Sequence, residues 1–92
     1  MLPQFRPSAA YTVKTEKDRY HVTLFQKDGE DHYCYGEYSC TQNPAVHRLG
    51  LPSDVENETA NQKSHAVFVE CLRSIRDVGG EITAIYPTAV LS

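Results

Sequence analysis

Apolar positions recur every three to four residues between residues 59 and 78, TANQKSHAVFVECLRSIRDV. On a wheel of about 100° per residue, Val67, Cys71, Ile75, Phe68 and Leu72 fall within an arc of roughly 140°, joined by Ala60 and Val78. Arg76, Gln62, Arg73, Asp77, Glu70 and Lys63 are placed on the opposite side. The division predicts one amphipathic helix whose apolar stripe must be covered by another element. Thr59-x-x-Gln62 and Ser53-x-x-Glu56 compete as capping boxes, and the core-facing period begins near Thr59. Asp54, Glu56 and Glu58 lead into this start, where the helix dipole favours acid. Gly79-Gly80 closes the pattern, with Gly79 suited to a left-handed cap.

Elsewhere the period is two. Residues 11–15 set Tyr11, Val13 and Thr15 against Thr12 and Lys14. Residues 20–26 set Tyr20, Val22 and Leu24 against His21, Thr23 and Phe25. Asp28-Gly29 is a hairpin signal, because both turn positions need positive φ. A third strand over residues 31–40 puts His32, Cys34, Gly36, Tyr38 and Cys40 on one side and Tyr33, Tyr35, Glu37 and Ser39 on the other. A glycine inside a strand, here Gly36, suggests a bulge. A last strand, EITAIY over residues 81–86, is expected to stop at Pro87, with an apolar tail over 88–92 lying along the sheet.

Pro3 and Pro7 deny a helix to residues 1–10. These read as an extended arm whose Met1, Leu2 and Phe5 fold back or touch a partner. Residues 41–58 read as a long connection. Within it Asn43 suits an N-cap, Pro44 a first helical position and Gly50 an exit, so about one helical turn is expected over 44–49. The expected architecture is one α+β domain over residues 1–92, an antiparallel sheet in β-β-β-α-β order packed against one long amphipathic helix.

Composition narrows the function classes. The chain is 40% hydrophobic and 23% charged, a globular balance rather than that of a disordered segment. Its formal net charge is −3. The acidic surplus lies in the second half, where Asp54, Glu56, Glu58, Glu70, Asp77 and Glu81 outnumber Lys63, Arg73 and Arg76. Free nucleic acid is a poor partner for such a chain, and a basic protein surface is a better one. Three cysteines are an odd number and no disulfide framework. The first ten residues lack the apolar run of a signal peptide, and no stretch approaches the ~18 apolar residues of a membrane span. The expected setting is a reducing cytoplasm with free thiols.

Candidate chemistry is sparse. His32, Cys34, Cys40 and His47 are zinc-ligand types, but H-x-C-x5-C-x6-H matches no standard module, and Cys34 and Cys40 suit the inner face of a strand. Cys71 with His65 or His21 has the types of a nucleophile pair, yet Cys71 lies in the middle of the apolar stripe. No paired carboxylates, nucleophile elbow or phosphate loop occurs. No enzyme activity, cofactor, metal or small-molecule substrate is therefore expected. The tyrosines interleaved with basic residues resemble an interface instead. The expected contact surface is the basic loops and outer sheet face: Lys17, Arg19, Lys27, Tyr33, Tyr35 and Arg48. Both sides of the third strand are apolar or aromatic, while one helix covers only one face, so a second cover by a partner or another copy is expected.

The run from residues 20–25 through Asp28-Gly29 and 32–40 to the helix resembles the β-β-β-α run of double-stranded RNA-binding domains. It departs from them at Pro3 and Pro7, where their first helix would lie. It departs again at the helix start, where Lys63 stands alone in place of a lysine cluster. In layout over residues 11–86, and in its small, acidic, motif-free character, the chain is similar to small phage-encoded anti-CRISPR proteins, particularly inhibitors of type I-F systems. No shared motif carries functional residues across. The resemblance implies a non-catalytic inhibitor in the host bacterial cytoplasm. It would bind Cas subunits of a crRNA-guided surveillance complex and block target DNA binding, with the arm and basic loops in reach of guide RNA. A small nucleic-acid-binding or regulatory interaction module is the alternative.

Overall fold

The helix begins where the capping signal nearest the apolar stripe lies. In the computed structural model, which describes residues 4–27, 33–50 and 59–89, helix α1 spans Ala60–Gly79. Thr59 is its N-cap. The Thr59 hydroxyl accepts from the Gln62 N–H at 3.3 Å and the Gln62 side-chain oxygen accepts from the Thr59 N–H at 3.0 Å. Two orphan donors are thus satisfied reciprocally. The competing Ser53-x-x-Glu56, with Asp54 and Glu58, lies outside the described residues. The helix ends one residue later than expected, and the positive φ of 88° falls on Gly80 rather than Gly79. Gly79 serves close approach instead, since a Cβ there would stand 2.8 Å from Thr15 Oγ1 and 2.9 Å from the Tyr20 ring.

Five antiparallel strands form the sheet: β1 Phe5–Thr15, β2 Arg19–Lys27, β3 Cys34–Cys40, β4 Asn43–Leu49 and β5 Ile82–Thr88, in the order β4-β3-β2-β1-β5. The α+β class and a long helix packed on an antiparallel sheet agree with the sequence reading, but the order among the described residues is β-β-β-β-α-β, with β4 added before the helix. Three segments of that reading differ. Residues 5–10 are not an arm but the first half of β1, paired with β2 from Phe5↔Lys27 onward. Pro7 is accommodated because the register shifts between Pro7 and Ala9, and because β5 pairs with β1 only from Ala10 onward. Residues 44–49 are not a helical turn but most of β4. Asn43 does accept a backbone N–H, from Ala45 at 3.1 Å, a bond between residues two apart that serves a turn as readily as a helix start. Cross-strand pairing with β3 then prevails, with Arg48 opposite Glu37 and His47 opposite Tyr38. Pro87 is likewise inside β5 rather than beyond it.

Helix α1 lies over β3, β2 and β4. Val13, Tyr20, Val22, Leu24, Cys34 and Tyr38 of the sheet meet Val67, Cys71 and Ile75 of the helix in one core. Gly36 is no bulge, because β2 and β3 pair through it without a register shift. A Cβ there would lie 2.7 Å from Cys71 Sγ and 2.9 Å from Val67 Cγ1, so glycine lets the helix approach the sheet. Lys63 departs from the expected wet side. It stands one turn before Val67 on the same stripe and is buried. Val78, expected in the stripe, is exposed in the last turn.

Candidate interaction surface

The face of the sheet opposite α1 is aromatic at one end. Alternation along β2 and β3 sends Phe25 and Tyr35 there, directly opposite one another in register. Their rings stack at 4.8 Å between centroids. Phe5, brought in by the paired start of β1, meets Tyr35 edge-on at 4.8 Å and Tyr33 at 5.9 Å. Phe25 and Tyr35 are buried, whereas Tyr33 is 48% exposed at the lip. The Arg48 guanidinium lies 5.1 Å over the Tyr35 ring, a cation–π contact. Arg48 Nη2 and Nε also donate to Glu37 Oε1 at 2.8 and 3.1 Å, and these bonds raise the Arg48 pKa further above its ordinary value. The result is an aromatic centre with a charged, half-exposed rim.

Beside it runs an apolar groove of about 490 Å³, lined by Pro7, Ala10, His21, Thr23, Phe25 and Thr88 among others. Its walls come from β1, β2 and the end of β5, on the outer side of the sheet.

The six expected contact residues divide into two groups. Lys27, Tyr33, Tyr35 and Arg48 converge on the aromatic end, the Lys27 N–H bonding to the Tyr33 carbonyl at 2.9 Å. Tyr35 lies beneath the surface as its packed base. Lys17 and Arg19 lie at the opposite end, in and just after the turn from β1 to β2. Eight residues of strand at about 3.3 Å each put Arg19 roughly 26 Å from Lys27. The two groups therefore do not form one compact patch. Phe25 and Glu37 were not singled out as contacts by sequence reading. Phe25 shows itself only through its register opposite Tyr35, and Glu37 only through the unforeseen β4.

The other candidate chemistry is placed as follows. Cys34 and Cys40 stand at opposite ends of β3, six residues or about 20 Å apart, beyond the reach of one ion. Cys34 is buried under the helix, and Cys40 donates to Asp18 Oδ2 at 2.7 Å. That bond, with the Arg19 N–H, holds the Asp18 carboxyl below its ordinary pKa. His47 stacks on Tyr38, and His32 lies outside the described residues. Among the described residues no three His, Cys, Asp or Glu side chains gather as a metal set. Burial pushes the Cys71 thiol up to about 12. His21 is on the other side of the sheet from it, and His65 is exposed on the helix. No described helix is long and apolar enough to cross a membrane.

Comparison with known proteins finds no matching family model, curated protein or solved structure.

Proposed function

We propose that this protein acts by binding rather than catalysis, as an inhibitor that occupies a crRNA-guided CRISPR–Cas surveillance complex and blocks its uptake of target DNA. The observation that carries the binding part is the outer sheet face. Its packed aromatic centre, exposed Tyr33 and Arg48–Glu37 rim have the composition of an interface core with a polar border. The target follows from the resemblance in layout and size to type I-F inhibitors. It is compatible with the charge, because an acidic body can compete for a positively charged channel built to hold nucleic acid. The Arg48 charge on this face is balanced by Glu37, which favours a protein surface over free nucleic acid.

The test is a titration of purified protein into a reconstituted type I-F surveillance complex, with target duplex binding read by gel shift. Stoichiometric protein should abolish the shift, and Tyr33→Ala with Arg48→Ala should weaken the inhibition at least tenfold. Reversing the charge of Arg19 and Lys27 together asks whether both ends of the sheet take part; unchanged inhibition removes that pair from the contact. An unaffected gel shift, with no co-migration of the protein, overturns the surveillance complex as target. Salt-dependent binding of the protein alone to RNA or DNA would favour the nucleic-acid module instead.

A further inference from the structure

The two edges of the sheet are built differently. Strand β4 carries Pro44 near its start, a register shift opposite Tyr38 and Cys40, and the charged Arg48. Each of these is a device that discourages strand pairing. Strand β5 is bounded by a register shift at its start and Pro87 near its end, but Ala84, Ile85 and Tyr86 between them pair regularly with Lys14, Val13 and Thr12. No residue of β5 is charged. It has no second neighbour among the described strands. Ile85 is 41% exposed on the helix side and Tyr86 51% exposed on the outer side, large apolar surface on both faces of an uncharged edge.

From this edge we infer that two copies of the chain associate through β5, antiparallel about a two-fold axis at Ile85, extending the two sheets into one. Ile85 is the central residue of Ile82–Thr88. Pro87 has no N–H, and with its nitrogen on the open side it cannot donate to a second copy, so it limits the pairing to the strand centre at Ile85. Alternation along the strand then presents the N–H and C=O of Ile85 to the same side, where the two copies of Ile85 exchange a pair of main-chain hydrogen bonds. The axis sets Ala84 of each copy opposite Tyr86 of the other, a small residue under a large ring. It brings no like charges together, as a self-complementary edge requires. A nucleic-acid or charged-peptide occupant finds no ionic partner on this strand. The contact is short, so the dimer is expected to be weak, with Kd of about 10–100 μM.

Sedimentation velocity between about 5 and 500 μM tests this. The wild-type sedimentation coefficient should rise toward that of a dimer. Ile85→Lys should remain monomeric, and Val46→Lys on the β4 edge should dimerise like the wild type. If far-UV circular dichroism shows that Ile85→Lys does not fold, Tyr86→Lys replaces it, with at least a tenfold weakening expected. A wild type that stays monomeric at the highest concentration leaves the edge to a strand of some other protein and overturns the self-pairing. An Ile85→Lys or Tyr86→Lys dimer of unaltered strength overturns it too.

Discussion

The two faces of the sheet use similar residues to opposite ends. On the helix side, Tyr20, Tyr38, Cys34 and Val22 are shut in by Val67, Cys71 and Ile75. Two glycines, Gly36 and Gly79, bring the helix close enough for that. On the outer side, Phe5, Phe25 and Tyr35 pack with one another, and the cluster finishes in half-exposed groups, Tyr33 and Arg48. An aromatic residue therefore says little by itself. What distinguishes the faces is how each side chain leaves water: under the helix on one side, and only against neighbouring rings on the other, where Phe25 and Tyr35 are buried and Tyr33 stays half exposed.

The largest effect belongs to the helix side. Ile75 is fully buried, so Ile75→Ala should lower unfolding free energy by about 2–5 kcal/mol, read by urea denaturation. A loss below about 1 kcal/mol would mean that the helix does not seal this face. Next comes alkali. The Cys71 thiol ionises near 9.0 as a free group and at about 12 in the fold. A raised pKa leaves stability intact below the free value and erodes it as pH climbs toward the folded one. Stability should therefore fall between pH 9 and 12, by up to about 4 kcal/mol from this group. Cys71→Ala should flatten that slope in a pH series of denaturation curves. A slope unchanged by the substitution would assign the loss to other groups.

The helix was legible because its signals are local and agree: the stripe, the Thr59–Gln62 cap and the terminal glycines all lie in one stretch. Strands β2 and β3 were legible for the same reason, through alternation. What failed depended on distant partners. Nothing near Asn43-Pro44 reveals that Glu37 waits for Arg48 and Tyr38 for His47, so the local signal there is that of a helix start. Pro7 argued correctly against a helix, but only the end of β5 short of it shows why a strand could hold it. Gly36 looked like a bulge because its true neighbour, Cys71, is thirty-five residues away on another element. The contact surface was half legible. Tyr33, Tyr35 and Arg48 share the aromatic end, whereas the packing of Tyr35 between Phe25 and Arg48 and the distance to Arg19 both need the pairing register.

Gly36 offers a sharper test of the same side. Alanine there places a methyl group 2.7 Å from Cys71 Sγ, inside contact distance. Gly36→Ala should cost about 1–3 kcal/mol by forcing helix and sheet apart. Cys71→Ala in the same chain removes the sulfur and should restore part of the loss, although Val67 still stands 2.9 Å away. A strictly additive double variant would mean that the two positions do not press on each other.

The smallest effect on folding is expected at the outer lip, and there the comparison between the faces is decided. Tyr33 is 48% exposed and meets the cluster through an edge contact with Phe5, so Tyr33→Ala should move stability by no more than about 0.5 kcal/mol. If this face is where the partner docks, the same substitution should weaken inhibition about tenfold or more, because exposed aromatics become anchors once a partner removes them from water. Denaturation and the surveillance-complex titration, run on one preparation, separate the two quantities. A variant that loses stability and binding together would make Tyr33 part of the fold. A variant that loses neither would move the docking surface off the aromatic end, toward Lys17 and Arg19.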